Sequence, residues 1–302
     1  MKQLFYSIMV ASILFVGCKT GTKKNVKQDT EKSIENVTKI TENNGSIQLL
    51  RNATLVIDFG GKKILVDPMF ADKGEFDPFP FAGNEIRNPM VDLPISKEEV
   101  AKIVDNVDAV FITHTHLDHW DPKAQQMIDK HKPIFCQPSD EKTIKDQGFT
   151  NVMVLNDKTD WEGITVHKTG GQHGFGKLGE LMGSVSGYVF SHNGKSIYIA
   201  GDTRWCKEVK TALDTHKPDV IVLNAGGAQF IEGDLKGEPI TMTPEDIIAV
   251  YENSQKSNII TVHMNTLNHC HVKRKDLKKA LTDIGIAEVI EIPADGDIYI
   301  IK

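Results

Sequence analysis

His114-Thr115-His116-Leu117-Asp118-His119 stands just after the apolar run Ala109-Val110-Phe111-Ile112. Three imidazoles and a carboxylate within six residues are poor packing material. Side chains at i and i+2 of an extended segment share one side. A carboxylate at i+4 and an imidazole at i+5 reach the same point only if the strand ends in a tight loop. Four ligand-type groups then converge from one short segment, and mutually close imidazoles are stable chiefly around a cation. The spacing therefore predicts a metal site at the end of a strand rather than a solvated histidine-rich loop.

The flanking chain supplies the scaffold. Residues 54–58 and 63–67 read as a hairpin around Gly60-Gly61, stopped by Pro68. Residues 72–95 lack periodicity and carry Phe76, Phe79, Phe81 and four prolines, the composition of a functional loop. Ser96-Lys97-Glu98-Glu99 is a capping box that predicts a helix toward Asn106, and Asp121-Pro122 opens another toward Lys130. A short helix is expected from Ser139-Asp140. Strands are expected at 133–136, 163–167, 220–224, 258–262 and 296–301, and a hairpin at 186–190 and 196–200 turns on Asn193-Gly194. Helices are expected at 243–253 and 274–284. Meandering strands followed by strand–helix alternation indicate mixed sheets covered by helices. Several strand ends carry His or Asp before a polar loop, where open α/β sheets build their sites.

The N-terminus reads differently. Lys2 precedes an apolar stretch from Leu4 to Val16, too short to span a bilayer, that closes on Phe15-Val16-Gly17-Cys18. Residues 1–17 are expected to be a signal peptide. The ending resembles the lipobox of bacterial lipoproteins, with Phe15 where Leu is usual, which implies that Cys18 is the lipidated first residue of the mature chain. Residues 18–46 are polar and cannot bury enough surface to offset their chain entropy, so they read as a flexible tether. The expected location is outside the cytoplasm, lipid-anchored to a bacterial membrane and facing the periplasm or the cell surface.

Residues 47–302 are left as one folded domain. The whole chain carries a net charge of -6, and Lys2 plus the tether (six Lys against four acids) is net basic, so the domain carries -9. That charge disfavours a polyanion, so no nucleic-acid partner is expected. Cys136, Cys206 and Cys270 are an odd number without CxxC spacing and select no disulfide.

Three more ligand-type residues stand at strand ends: His173 after Gly170-Gly171-Gln172, Asp202 in Ala200-Gly201-Asp202-Thr203, and His263 after Ile260-Thr261-Val262. With Asp67 after an early strand and the HxHxDH loop, this order resembles the metallo-β-lactamase fold superfamily of metal-dependent hydrolases. Gly-Gly-Gln-His-Gly, Ala-Gly-Asp-Thr and Pro-Glu-Asp before the last His are similar to the branch with ascorbate-6-phosphate lactonase and N-acyl-phosphatidylethanolamine phospholipase D enzymes. Thr241 stands where the N-acylethanolamine-releasing members have a histidine, a departure that argues against their substrate.

The resemblance implies an α/β (α+β) fold, a four-layer αββα sandwich. It implies two divalent ions, zinc by default with manganese or iron as alternatives. His114, His116 and His173 would hold the first and Asp118, His119 and His263 the second, with Asp202 bridging and Asp67 orienting a ligand. Metal-bound hydroxide would attack an ester or lactone, amide or phosphodiester of a small extracytoplasmic molecule, with Asp118 orienting the nucleophile or relaying a proton. Arg204 and His269 are candidate substrate contacts. Two alternatives stay open: an iron-dependent oxidoreductase on the same fold, and a binding protein that keeps metal without turnover.

Overall fold

The computed structural model describes residues 45–302. The signal segment 1–17, Cys18 and all of the tether except its last two residues lie outside the described residues. In chain order the strands begin with β1 (Ser46–Arg51), β2 (Thr54–Phe59), β3 (Lys62–Val66), β4 (Ala109–Phe111), β5 (Ile134–Cys136), β6 (Val152–Val154) and β7 (Lys158–Trp161). They continue with β8 (Ile164–Gly170), β9 (Ser186–His192), β10 (Lys195–Ile199), β11 (Val220–Asn224), β12 (Asn258–Val262), β13 (Ile290–Glu291) and β14 (Ile298–Ile300). The α-helices are α1 (Lys97–Asn106), α2 (Pro122–Met127), α3 (Glu141–Asp146), α4 (Gly176–Met182), α5 (Lys207–His216), α6 (Pro244–Asn253) and α7 (Arg274–Asp283).

Two seven-stranded sheets form, ordered β14-β1-β2-β3-β4-β5-β6 and β13-β12-β11-β10-β9-β8-β7. Each is half antiparallel and half parallel: β14 to β3 run antiparallel and β3 to β6 parallel in the first, β7 to β10 antiparallel and β10 to β13 parallel in the second. Strand alternation explains the layering. Leu55, Ile57, Ile64, Val66 and Phe111 point inward and meet Val166, Phe190, Ile197, Val220 and Val222 of the other sheet. Val56, Leu65 and Val110 point outward under Val100, Val104 and Ala124 of the helices α1 and α2. On the other outer face Ile221, Leu223 and Ile259 pack against Val209 and Leu213 of α5, Ile247 and Val250 of α6, and Leu277 and Leu281 of α7. The parallel strands, buried on both faces, therefore read as unbroken apolar runs. The result is a four-layer αββα sandwich, as the resemblance implied.

The helix signals acted as their chemistry dictates. Ser96 accepts from the backbone N–H of Glu99 while Glu99 reaches back to Ser96, and Thr243 and Asp246 repeat the device at α6. Helix α2 stops at Met127, short of the expected Lys130. Helix α5 was not foreseen: its Val209, Ala212 and Leu213 have helical spacing, but the residue before it, Cys206, makes no side-chain cap. Strand β1 was also missed, and it pairs with the closing strand β14 to bring the two ends of the described chain together. Cys136, Cys206 and Cys270 are free and buried. No helix among the described residues is long and apolar enough to cross a membrane.

Phe111 is the aromatic centre of the inter-sheet layer. It stacks on Phe135 at 4.3 Å and meets Trp161, Tyr188 and Phe190 edge-on at 5.9, 5.4 and 4.8 Å. Phe111→Ala is expected to cost about 3–5 kcal/mol of unfolding free energy, because the site cannot collapse around the lost ring. Chemical denaturation of the two chains measures it, and a loss below about 1 kcal/mol would show that the layer relaxes freely.

Candidate metal centre

The histidine loop begins at the carboxyl end of β4 and is anchored by Asp67 at the end of β3. Asp67 has a left-handed backbone, φ 44°, and its carboxylate is wholly enclosed. It accepts from the Thr113 N–H at 2.8 Å and the Thr113 hydroxyl at 2.7 Å, and it lies 2.8 Å from His119 Nδ1. Asn52, also left-handed at φ 59°, donates its side-chain amide to the Asp118 carbonyl at 3.1 Å and accepts from the His263 N–H at 2.8 Å. Gly201, at φ +70°, lets the end of β10 approach closely, for a Cβ there would lie 2.7 Å from the Ser186 carbonyl oxygen.

These constraints gather the seven nominated ligands into two groups. His114, His116 and His173 present ligand atoms within 4.8 Å of one another, as do Asp118, His119, Asp202 and His263. In the first group His114 Nε2 lies 3.0 Å from His116 Nδ1. In the second, His263 Nε2 is 3.0 Å from Asp118 Oδ2 and 3.2 Å from His119 Nε2. Asp202 spans the two: its Oδ2 is 3.2 Å from His119 Nε2 and 3.7 Å from His173 Nε2, and its Oδ1 is 3.5 Å from His263 Nε2. All seven are buried except His116, which is partly exposed.

Four of the five rings are set by what they touch outside. His114 Nδ1 meets the Thr113 hydroxyl at 3.0 Å, His119 Nδ1 the Asp67 carboxylate, His173 Nδ1 the Ile240 carbonyl at 2.8 Å, and His263 Nδ1 the Cys270 thiol at 3.4 Å. A ring whose Nδ1–H donates outward turns a lone pair inward at Nε2. Lone pairs of nitrogen and carboxylate oxygen therefore face one another in a buried space, where only shared protons or cations reconcile them. Burial, helped by the neighbouring imidazoles, drives His114 well below its ordinary pKa and favours its neutral ligating form. Burial pulls on His119 and His263 too, but Asp202 foremost holds both well above the ordinary value, helped by Asp118 and Asp67 at His119 and by Cys270 and Asp118 at His263. Burial pushes Asp118 and Asp202 up, yet His119 and His263 keep both well below the usual range. The donor set fits divalent metal: neutral imidazoles for one position, and imidazoles with carboxylates for the other.

The chain belongs to the beta-lactamase superfamily. The pattern of the "Beta-lactamase superfamily domain" matches residues 62–264. The UPF0173 protein YddR of Bacillus subtilis is 41% identical over 259 residues, 84% of this chain and 99% of that one. Among solved structures, the isothiocyanate hydrolase from Delia radicum gut bacteria is 41% identical with a TM-score of 0.78, covering 84% of this chain and 98% of its own. A possible metal-dependent hydrolase from Veillonella parvula is 35% identical with a TM-score of 0.80, over 85% and 99%. This superfamily member is a metal-dependent hydrolase, which favours turnover over the metal-storing and oxidoreductase alternatives.

The remaining candidates separate. Arg204 is engaged: its guanidinium pairs with Asp246, and Nη1 donates to the Pro239 carbonyl at 3.1 Å. These contacts tie Arg204 to the start of α6. Thr241 accepts from the Ala228 N–H at 2.8 Å and holds a loop. His269 is 7% exposed, lies edge-on to Phe79 at 4.5 Å, and has an Nδ1 without a hydrogen-bond partner. Sequence reasoning missed Thr113, Asn52 and Asn224, whose Nδ2 donates to Asp202 Oδ1 at 2.6 Å. Asn224 ends an apolar strand, the position where a lone polar residue signals a site; the Ile240 carbonyl left no signal, since any residue would supply it.

Asp67→Ala removes the acceptor that orients His119 and the clamp on Thr113. Metal affinity is expected to fall about 10–100-fold, measured by competition with a chromophoric chelator. Unchanged affinity would show that Asp67 only supports the loop.

Proposed function

We propose that this chain is a two-ion hydrolase of small electrophiles, with isothiocyanates as its substrate class, exported and tethered to a membrane by lipid. The observation that carries the hydrolase reading is the pair of buried ligand groups spanned by Asp202. His114, His116 and His173 would hold one ion and Asp118, His119 and His263 the other, with Asp202 shared; zinc suits the imidazole-rich set, and manganese or iron suits its carboxylates. When bound, the ions supply Lewis acidity and a nucleophilic water at neutral pH.

The chain's own residues do the rest. Asp118, held by its neighbours in the ionised form, orients the attacking water and accepts its proton at Oδ2. Leu178, Ile240, Leu267 and the half-buried Phe76, Phe79 and Phe230 form an apolar cluster that joins His173 through Ile240 and His269 through Phe79. Such a wall excludes water and receives an uncharged organic group. With Arg204 bound to Asp246, a phosphodiester loses the cation nominated for it. The isothiocyanate assignment is supported by the 41% identical relative of that activity. In the balanced reaction the water oxygen bonds to the central carbon of N=C=S, nitrogen takes both protons, and the C–N bond breaks to give an amine and carbonyl sulfide. His269, kept neutral by burial with a pKa of about 4, is the substrate contact, set beside Phe79 of the apolar cluster. An ester, lactone or amide presents the same electrophilic carbon and is the second choice.

Zinc-loaded protein is expected to consume aliphatic and aromatic isothiocyanates, followed by their ultraviolet absorbance and by amine release, in preference to a lactone, a phosphodiester and a cephalosporin. His116→Ala should lower the rate more than about a hundredfold, beyond the range for supporting residues. His269→Ala should weaken turnover about 10–100-fold with metal content unchanged, the size of one lost polar interaction in a buried site. A phosphodiester as the preferred substrate would sink the substrate assignment, and full activity in H116A would sink the site. Residues 1–46 support export: the full chain should sediment with membranes and Cys18→Ala should not, whereas equal fractionation would remove the lipid anchor.

A further inference from the structure

Three ligand imidazoles lean on oxygen: His114 on a hydroxyl, His119 on a carboxylate and His173 on a carbonyl, at 3.0, 2.8 and 2.8 Å. His263 alone leans on sulfur, with Cys270 Sγ 3.4 Å from its Nδ1. Both residues are wholly buried. His263 itself is held in a left-handed backbone conformation, φ 65°, which ordinary side chains avoid and which persists only where the surroundings enforce it. Its N–H donates to the Asn52 carbonyl, so the backbone is fixed from β1–β2 and the ring from Cys270. The thiol is also placed, not loose: Ala228 and Cys270 form an antiparallel bridge, and the Cys270 N–H donates to the Leu267 carbonyl at 3.3 Å. Gly226 is the third element. A Cβ at that position would lie 2.9 Å from Cys270 Sγ and would also strike the His263 carbonyl oxygen, so glycine lets the end of β11 close over the pair.

We propose that Cys270 is the positioning residue of the second ion site, its sulfur accepting from His263 Nδ1–H and so aiming the Nε2 lone pair at the space shared with Asp118 and His119. The inference rests on reading the clusters as ion sites, and not on the substrate. Cys270 touches neither substrate nor ion; it acts through His263. Sulfur is a weaker and longer acceptor than the oxygens behind the other rings. A hydroxyl at the same place keeps an acceptor, whereas a methyl group removes it and frees the ring to rotate.

The test is zinc affinity of the full chain, with each of two steps resolved by chelator competition, in wild type, Cys270→Ala and Cys270→Ser. The expected result is one step weakened about 10–100-fold in C270A, the other unchanged, and the lost affinity recovered in C270S. A loss of packing alone would not be repaired by the more polar serine. Melting of the zinc-free proteins reports any folding defect, and C270S still answers the question if C270A does not fold. Equal affinities in wild type and C270A, or a C270S no better than C270A, would overturn this inference alone. A wild-type chain that takes up no zinc would overturn it together with the ion-site reading.

Discussion

The face-to-face packing of two sheets around Phe111, Phe190 and their neighbours is the constraint on which everything else depends. It is mainly apolar, with one buried cross-sheet hydrogen bond from the Tyr188 hydroxyl to the Ile112 carbonyl, yet it fixes where polar groups end up. Once β3, β4, β8, β10, β11 and β12 are registered against one another, their carboxyl ends open on one edge of the sandwich. Asp67, His114, His173, Asp202, Asn224 and His263 stand on or just beyond those ends. A site built at strand ends inherits the rigidity of the sheets while its loops remain free to vary.

Convergence of this kind carries an electrostatic penalty that the surrounding structure absorbs. Five imidazoles and two carboxylates are brought together with little access to water. Asp67, Thr113, Ile240, Asn224 and Cys270 each bind the outer side of a ligand and hold His119, His114, His173, Asp202 and His263 in place. Left-handed backbones at Asn52, Asp67 and His263 lie in the same region, as expected where a site is enforced against local preference. Stability is given up locally so that donor atoms face one another before any ion arrives.

The side chains around the ligands are sorted by partners distant in the chain. Arg204 looks free in sequence because it follows a ligand, but Asp246, forty-two residues on, claims its guanidinium. The aromatic residues of the 72–95 loop divide: Phe76 and Phe79 join the apolar cluster beside His173 and His269, while Phe81 is exposed and meets Phe230 edge-on at 6.2 Å.

What the sequence by itself determined is what depends on neighbours in the chain. Unbroken apolar runs at 220–224 and 258–262 become buried parallel strands of those bounds, capping boxes at Ser96 and Thr243 start helices, and the HxHxDH spacing demands a cation. Uncapped α5 and strand β1, which is held between β14 and β2, escaped because their stability comes from what they pack against, not from local signals. Only the tertiary structure decided that Asn224 donates to Asp202, that Arg204 pairs with Asp246 and that a thiol stands behind His263. Those are contacts between residues 7 to 42 positions apart, set by the sheet packing and invisible to any local pattern.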